Sequence, residues 1–138
     1  MADAPRVTRT SLDRVVPMVA PIPMAVPPTR VWSDGAWDRI KLGYAAQSMD
    51  EKWDVFVEDQ TMFVHRSWTG NGIFEASFSP VARGGWRISA AVVESDPTRY
   101  RRSEQFDRVM LELVLSSVIL GELAQDIRAE FRALTTEA

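Results

Sequence analysis

Residues 53–78 read WDVFVEDQTMFVHRSWTGNGIFEASF, and the periodicity of this stretch sets the architecture of the chain. Trp53, Val55 and Val57 alternate with Asp54 and Glu58, the period of two that a half-buried strand requires, and Phe56 is the one break in the pattern. Glu58-Asp59-Gln60 supplies turn chemistry before a second strand, Thr61 to Trp68. Thr69-Gly70-Asn71-Gly72 follows, where asparagine and glycine tolerate the positive φ of a tight hairpin. Ile73 to Phe78 is the third strand. Ser79-Pro80 closes it, Gly84-Gly85 opens the next, and Trp86 to Val93 reads as a fourth. Connections this short join neighbours antiparallel, so the pattern predicts a four-stranded antiparallel β-meander.

On its N-terminal side, Ser33 or Asp34 can cap a helix, after which Trp37, Ile40 and Tyr44 recur on one face, predicting a short helix over about 35–48. On the C-terminal side, Asp96-Pro97 is a helix-start signature, and a long helix is expected from near Ser103. Phe106, Met110, Leu113, Ser117, Leu120, Ala124, Ile127, Phe131 and Leu134 follow spacings of four and three, which place them on a single stripe that covers the sheet. Between Val109 and Leu120 the other positions are apolar too (Leu111, Val114, Leu115, Val118, Ile119), so this part must bury a second flank. Gly121 is expected to kink or end the helix, leaving Glu122 to Leu134 as an amphipathic surface segment. The fold class is therefore α+β: the meander, a short N-terminal helix, and a long apolar C-terminal helix packed on the sheet.

Six of the eight prolines (Pro5, Pro17, Pro21, Pro23, Pro27, Pro28) lie in the first 28 residues, where missing amide donors and fixed φ exclude a continuous helix or a central strand. Residues 1–30 thus read as an extended Pro-rich arm ahead of a single α+β domain over 31–138. Arg6, Arg9 and Arg14 before the apolar run Val15 to Val26 imitate a secretory signal. Prolines 17, 21 and 23 interrupt its helical part, and a cytoplasmic location is expected. Val15, Val16, Met18, Val19, Ile22, Met24 and Val26 are too many apolar groups for an idle tail. They require cover from the arm's own domain, a protein partner or a second copy, as does the second flank of the C-terminal helix.

A chain of 138 residues supplies one core, and 46% apolar with 25% charged residues is ordinary globular composition, without a membrane span. There are no cysteines, so thiolate metal sites and cysteine nucleophiles are excluded, a single histidine leaves little for a metal site built on imidazole, and no cofactor is implied. The net charge of −3 opposes a nucleic-acid reading of the run Arg99, Arg101, Arg102. Asp50, Glu51, Asp54, Glu58 and Asp59 lack the loop spacing of an EF-hand and read as a solvated face. Five tryptophans (Trp32, Trp37, Trp53, Trp68, Trp86) could form stacking platforms, but a buried cluster between sheet and helix explains them more simply.

The segment that could carry chemistry is His65-Arg66-Ser67-Trp68-Thr69-Gly70-Asn71. If Met62, Val64 and Trp68 face the core, Arg66 faces it with them, and His65 and Ser67 point to the other side. An arginine on the core side needs a partner. Either it pairs with Glu75, Glu94 or Asp54, or lays its stem over Trp68, or it offers its planar fork to a phosphate or carboxylate, with the Gly70 to Gly72 amides and the Thr69 hydroxyl completing an anion cup. A β-bulge would exchange the roles of His65 and Arg66. His65, with Ser67 two residues on, could act as an acid/base, yet nothing supplies an orienting acid or an oxyanion hole. The binding candidates are His65, Arg66, Ser67, Trp68, Thr69 and Asn71; no catalytic set is complete.

Lys52-Trp53, an aromatic-bearing strand, Glu58-Asp59, and then Phe63-Val64-His65-Arg66-Ser67-Trp68-Thr69-Gly70 resemble a signature of small uncharacterised bacterial domains. Some of these are similar to segments attached to ADP-ribosylglycohydrolase-type proteins. The resemblance covers about residues 49–78 and implies a place near ADP-ribose or nucleotide chemistry, without naming catalytic residues. The expected function is a binding or interaction domain, recognising an anionic or nucleotide-like ligand at His65 to Asn71 or docking to a protein. The alternative is a small enzyme on an ADP-ribosyl or nucleotide group, with His65 as acid/base and Arg66 as phosphate clamp.

Overall fold

The computed structural model describes residues 6–100 and 103–136. Its strands are β1 (Pro21–Pro23), β2 (Val31–Trp32), β3 (Trp53–Glu58), β4 (Thr61–Arg66), β5 (Gly72–Pro80) and β6 (Trp86–Glu94). All pairings are antiparallel, in the order β1-β6-β5-β4-β3, with β2 also on β6. The sheet therefore has six strands rather than four: the meander β3 to β6 is extended by two short strands on either side of residue 30. The Met24 amide donates to Ala91 and the Ser95 amide to Ala20, so residues 20, 22 and 24 address β6, and Pro21 and Pro23 turn their nitrogens outward. That is the one kind of ladder position a proline tolerates, and strands this short carry no visible period.

Ser33 caps α1 (Asp34–Leu42), its hydroxyl accepting the Ala36 amide. The helix stops six residues short of the expected 48 because Gly43 takes φ +72°, and a Cβ there would lie 2.3 Å from the Val55 carbonyl oxygen. Tyr44 accordingly leaves the helix and bridges Val55 at the free side of β3.

The expected long C-terminal helix is two helices. α2 (Glu104–Leu113), capped by the Ser103 hydroxyl, widens into a π-helical segment over Val114–Ile119 and then ends. Gly121 at φ +67° and Ala124 at φ +51° reverse the chain, and α3 (Gln125–Thr136) folds back along α2. Phe106 meets Phe131, and Arg108 pairs with Glu130. The second apolar flank is covered from within the chain. Arg30 donates to the Ser116 hydroxyl and pairs with Glu122, and Arg39 donates to the Ile119 carbonyl. No helix among the described residues is long and apolar enough to cross a membrane.

The main core lies between the sheet and α1 and α2, around Trp32, Ile40, Met62, Ile73, Phe74, Phe78, Leu111 and Leu115. The opposite face is covered as well, which explains the break at Phe56. Phe56 and Phe63, register partners on β3 and β4, stack at 4.9 Å, and Arg9 of the arm lies over both rings while pairing with Glu58. The arm continues along the hairpin, where the Val16 amide donates to Gly70 and its carbonyl accepts from Gly72. Glu94 then fixes it to β6: this fully buried carboxylate accepts the amides of Val19, Ala20 and Asp96. Each phenylalanine removed from water on this second face contributes roughly 1.5–3 kcal/mol, so the arm is a working part of the fold.

Candidate functional site: a cationic cleft beside the hairpin

Arg66 ends β4 opposite Trp53 and faces the same side as Met62 and Val64, as strict alternation requires. A register shift against β5 occurs between Val64 and His65, but it does not reverse this facing. The guanidinium carbon lies 4.2 Å from the Trp53 ring centroid and 5.6 Å from that of Tyr100, whose ring stands edge-on to Phe74. Burial pulls its pKa below the ordinary value, yet a guanidinium in this setting stays a cation. Among the described residues no carboxylate pairs with it. Glu94 is engaged by arm amides, Asp54 accepts the Ala46 amide, and Glu75 feels Arg9. The structure thus holds a partly desolvated charge near two aromatic rings, with no counter-ion among the described residues, and attraction to the π faces replaces part of the lost hydration.

The Arg66 head opens on a cleft of about 340 Å³ lined by Lys52, Arg66, Trp68, Thr69, Asn71, Thr98 and Arg99. Three of these seven are cations and none is a carboxylate, a local surplus of positive charge on a chain whose net charge is −3. The walls are held by backbone. Arg66 donates its amide to Asn71 and accepts that of Gly70, which closes the hairpin, and the Ser67 amide donates to the Lys52 carbonyl, which ties in the start of β3. On the other wall, the Asp96 carboxylate accepts the Thr98 amide and hydroxyl and sets the turn that presents Arg99. Burial pockets of this size are at the lower end of the range for small ligands, about 300–1,000 Å³.

Trp68 departs from the expectation that it faces the core. β4 ends at Arg66, and the indole lies beyond it, 59% exposed. Its Nε1–H donates to the Met49 carbonyl at 2.9 Å, so the ring is held rather than loose. It also lines a second cleft, of about 380 Å³, between the arm and the loop after α1, with Ser11, Asp13, Gln47, Ser48 and Asp54 among its neighbours.

His65 and Ser67 stand apart from the cation cleft. His65 is buried on the opposite face of β4, where its Nδ1–H donates to the Gly70 carbonyl at 2.7 Å and its ring meets Phe56. Burial, its largest influence, holds its pKa below 6.5, against the opposing pull of the Gly70 carbonyl. The Ser67 hydroxyl donates to the Glu51 carbonyl, so no His65–Ser67 hydrogen bond forms. The three amides of the expected cup are engaged within the chain, Gly70 to the Arg66 carbonyl, Asn71 to the Thr69 hydroxyl and Gly72 to the Val16 carbonyl, and the Thr69 hydroxyl keeps its own proton to donate. Of the predicted binding residues, Arg66, Trp68, Thr69 and Asn71 come together. Lys52, Thr98 and Arg99 line the same cleft; Arg101 and Arg102, the other members of the arginine run, lie outside the described residues.

The acidic residues near β3 disperse into separate contacts: Glu51 accepts the Tyr44 hydroxyl and the Gln47 amide, and Glu58 pairs with Arg9. The Glu51 contact pushes the Tyr44 pKa up to about 12. No cluster of ligating side chains among the described residues could hold a metal ion. No family model, curated protein or solved structure matches the chain.

Proposed function

We propose that this chain is a binding domain that recognises an anionic group, a phosphate or carboxylate, in the cleft lined by Lys52, Arg66, Thr69, Asn71, Thr98 and Arg99. One observation carries the reading: Arg66 is desolvated between Trp53 and Tyr100 and directed to a cleft with two further cations and no described carboxylate. A partly desolvated charge with no described counter-ion gains from a ligand that supplies one, and a guanidinium matches the oxygens of such a ligand in a planar fork. The enzyme reading finds less support, because His65 and Arg66 leave β4 on opposite faces and one reacting group cannot meet both. Docking through the C-terminal helices also has less to stand on, since the surplus apolar flank is covered by the chain itself.

Calorimetric titration of the chain with phosphate, pyrophosphate and citrate tests the proposal. At least one should bind, with an affinity that falls as salt rises, and Arg66→Met or Arg99→Ala should weaken it tenfold or more. Equal binding by Arg66→Met, with the fold intact by circular dichroism, would overturn it.

A further inference from the structure

The Trp68 indole is a large apolar surface left in water, yet its orientation is fixed by the bond from Nε1 to the Met49 carbonyl. A ring that is both exposed and held presents a ready flat face at little further entropic cost. It is also the wall common to two clefts of opposite character. On one side stand Arg66, Lys52 and Arg99; on the other are Gln47, Ser48 and the carboxylates of Asp13 and Asp54. The first side suits a polyanion. The second repels one, and offers acceptors and amide groups to a neutral hydrogen-bonding moiety.

We infer that the ligand is a mononucleotide, a nucleoside di- or monophosphate, with its phosphates on Arg66, Arg99 and Lys52 and its base stacked on Trp68. This rests on the anion-site reading and adds the organic half of the ligand. Aromatic platforms beside cations bind nucleotides through exactly this division of labour, stacking for the π face and guanidinium for the phosphate. A single mononucleotide rather than a strand is indicated because the cations are gathered in one cleft of about 340 Å³, while the lining of the next cleft along includes Asp13 and Asp54 and no lysine or arginine.

The full chain is titrated with pyrophosphate, ribose 5-phosphate, ADP and single-stranded oligonucleotides of increasing length, as wild type, Trp68→Phe and Trp68→Ala. ADP should bind roughly tenfold or more tighter than pyrophosphate and ribose 5-phosphate. Trp68→Ala should bring the ADP affinity down to that of pyrophosphate, and Trp68→Phe should keep most of the preference. Trp68 is outside the core, so both variants are expected to fold. Equal affinity for ADP and pyrophosphate, or a preference that survives in Trp68→Ala, overturns the nucleotide inference while the anion site stands. Absence of binding by every phosphate compound overturns the nucleotide inference, and absence of citrate binding as well overturns the anion site with it. An affinity that climbs with oligonucleotide length overturns it in favour of single-stranded nucleic acid.

Discussion

Arg66 and Trp53 face each other across the β3–β4 ladder at 4.2 Å, the cross-strand position at which a full positive charge borders the hydrophobic core. The stem of Arg66 packs there and its head carries the charge, and the two roles can be separated. Arg66→Ala should lower the unfolding free energy by about 1–2 kcal/mol through lost contact with Trp53 and Tyr100. Arg66→Met keeps most of the stem and removes the desolvated charge, and should cost less than about 1 kcal/mol. Urea denaturation of both variants checks the ordering.

Glu94 holds the arm with three backbone hydrogen bonds to a buried carboxylate. Glu94→Ala leaves the Val19 and Ala20 amides without acceptors and should destabilise by about 2–4 kcal/mol, with Glu94→Gln between it and wild type. Limited proteolysis provides a second reading, since cleavage within residues 15–23 should become the earliest event in the alanine variant.

Gly70 and Gly84 both take positive φ, +78° and +99°, but only Gly70 is crowded. A Cβ at Gly70 would come within 2.5 Å of the Arg14 Cβ, whereas at Gly84 nothing lies within 4 Å. Gly84→Ala should therefore cost only the left-handed backbone penalty of roughly 1–2 kcal/mol. Gly70→Ala should cost about 1–3 kcal/mol more, because the arm must shift away from the hairpin. The difference between their denaturation midpoints measures the arm contact.

His65 gives a pH dependence of definite sign. Its pKa in the folded chain lies below the ordinary 6.5, so the unfolded chain binds more protons in the interval between the two values. Its contribution is complete above pH 6.5 and is lost as pH falls through the folded value. Arg9 and Asp54, the charges that act on it, oppose one another, which leaves burial in control. The melting temperature of wild type should fall more steeply than that of His65→Gln between pH 7 and pH 5. Parallel curves would show that His65 titrates alike in both states.

The meander was legible because alternation and turn chemistry agree there: Trp53, Val55 and Val57 against Asp54, and a glycine turn at Gly70 to Gly72. Arg66 was placed on the correct face by the same alternation. Phe56 and Phe63 were the available sign that the second face is covered, since two adjacent aromatics opposite the core side must pack on something. What they pack on, the arm, was hidden by prolines that erase any period. Lys52 and Thr98 carry no signal in the sequence, because the cleft joins the start of β3 to the turn after β6, a neighbourhood created by sheet order. The end of the C-terminal helix was half visible at Gly121, but the positive φ of Ala124 has no sequence signal, and the stripe continued across the break.

The prolines at both ends of β1 have a consequence for how the molecule behaves in a crowd. Their nitrogens point away from β6, so the outer border of the sheet offers a passing strand almost no amide hydrogens to grip. A version shortened past residue 23 would bare the rim of β6 beneath, and sticky edge-to-edge stacking of copies is the expected price of that truncation.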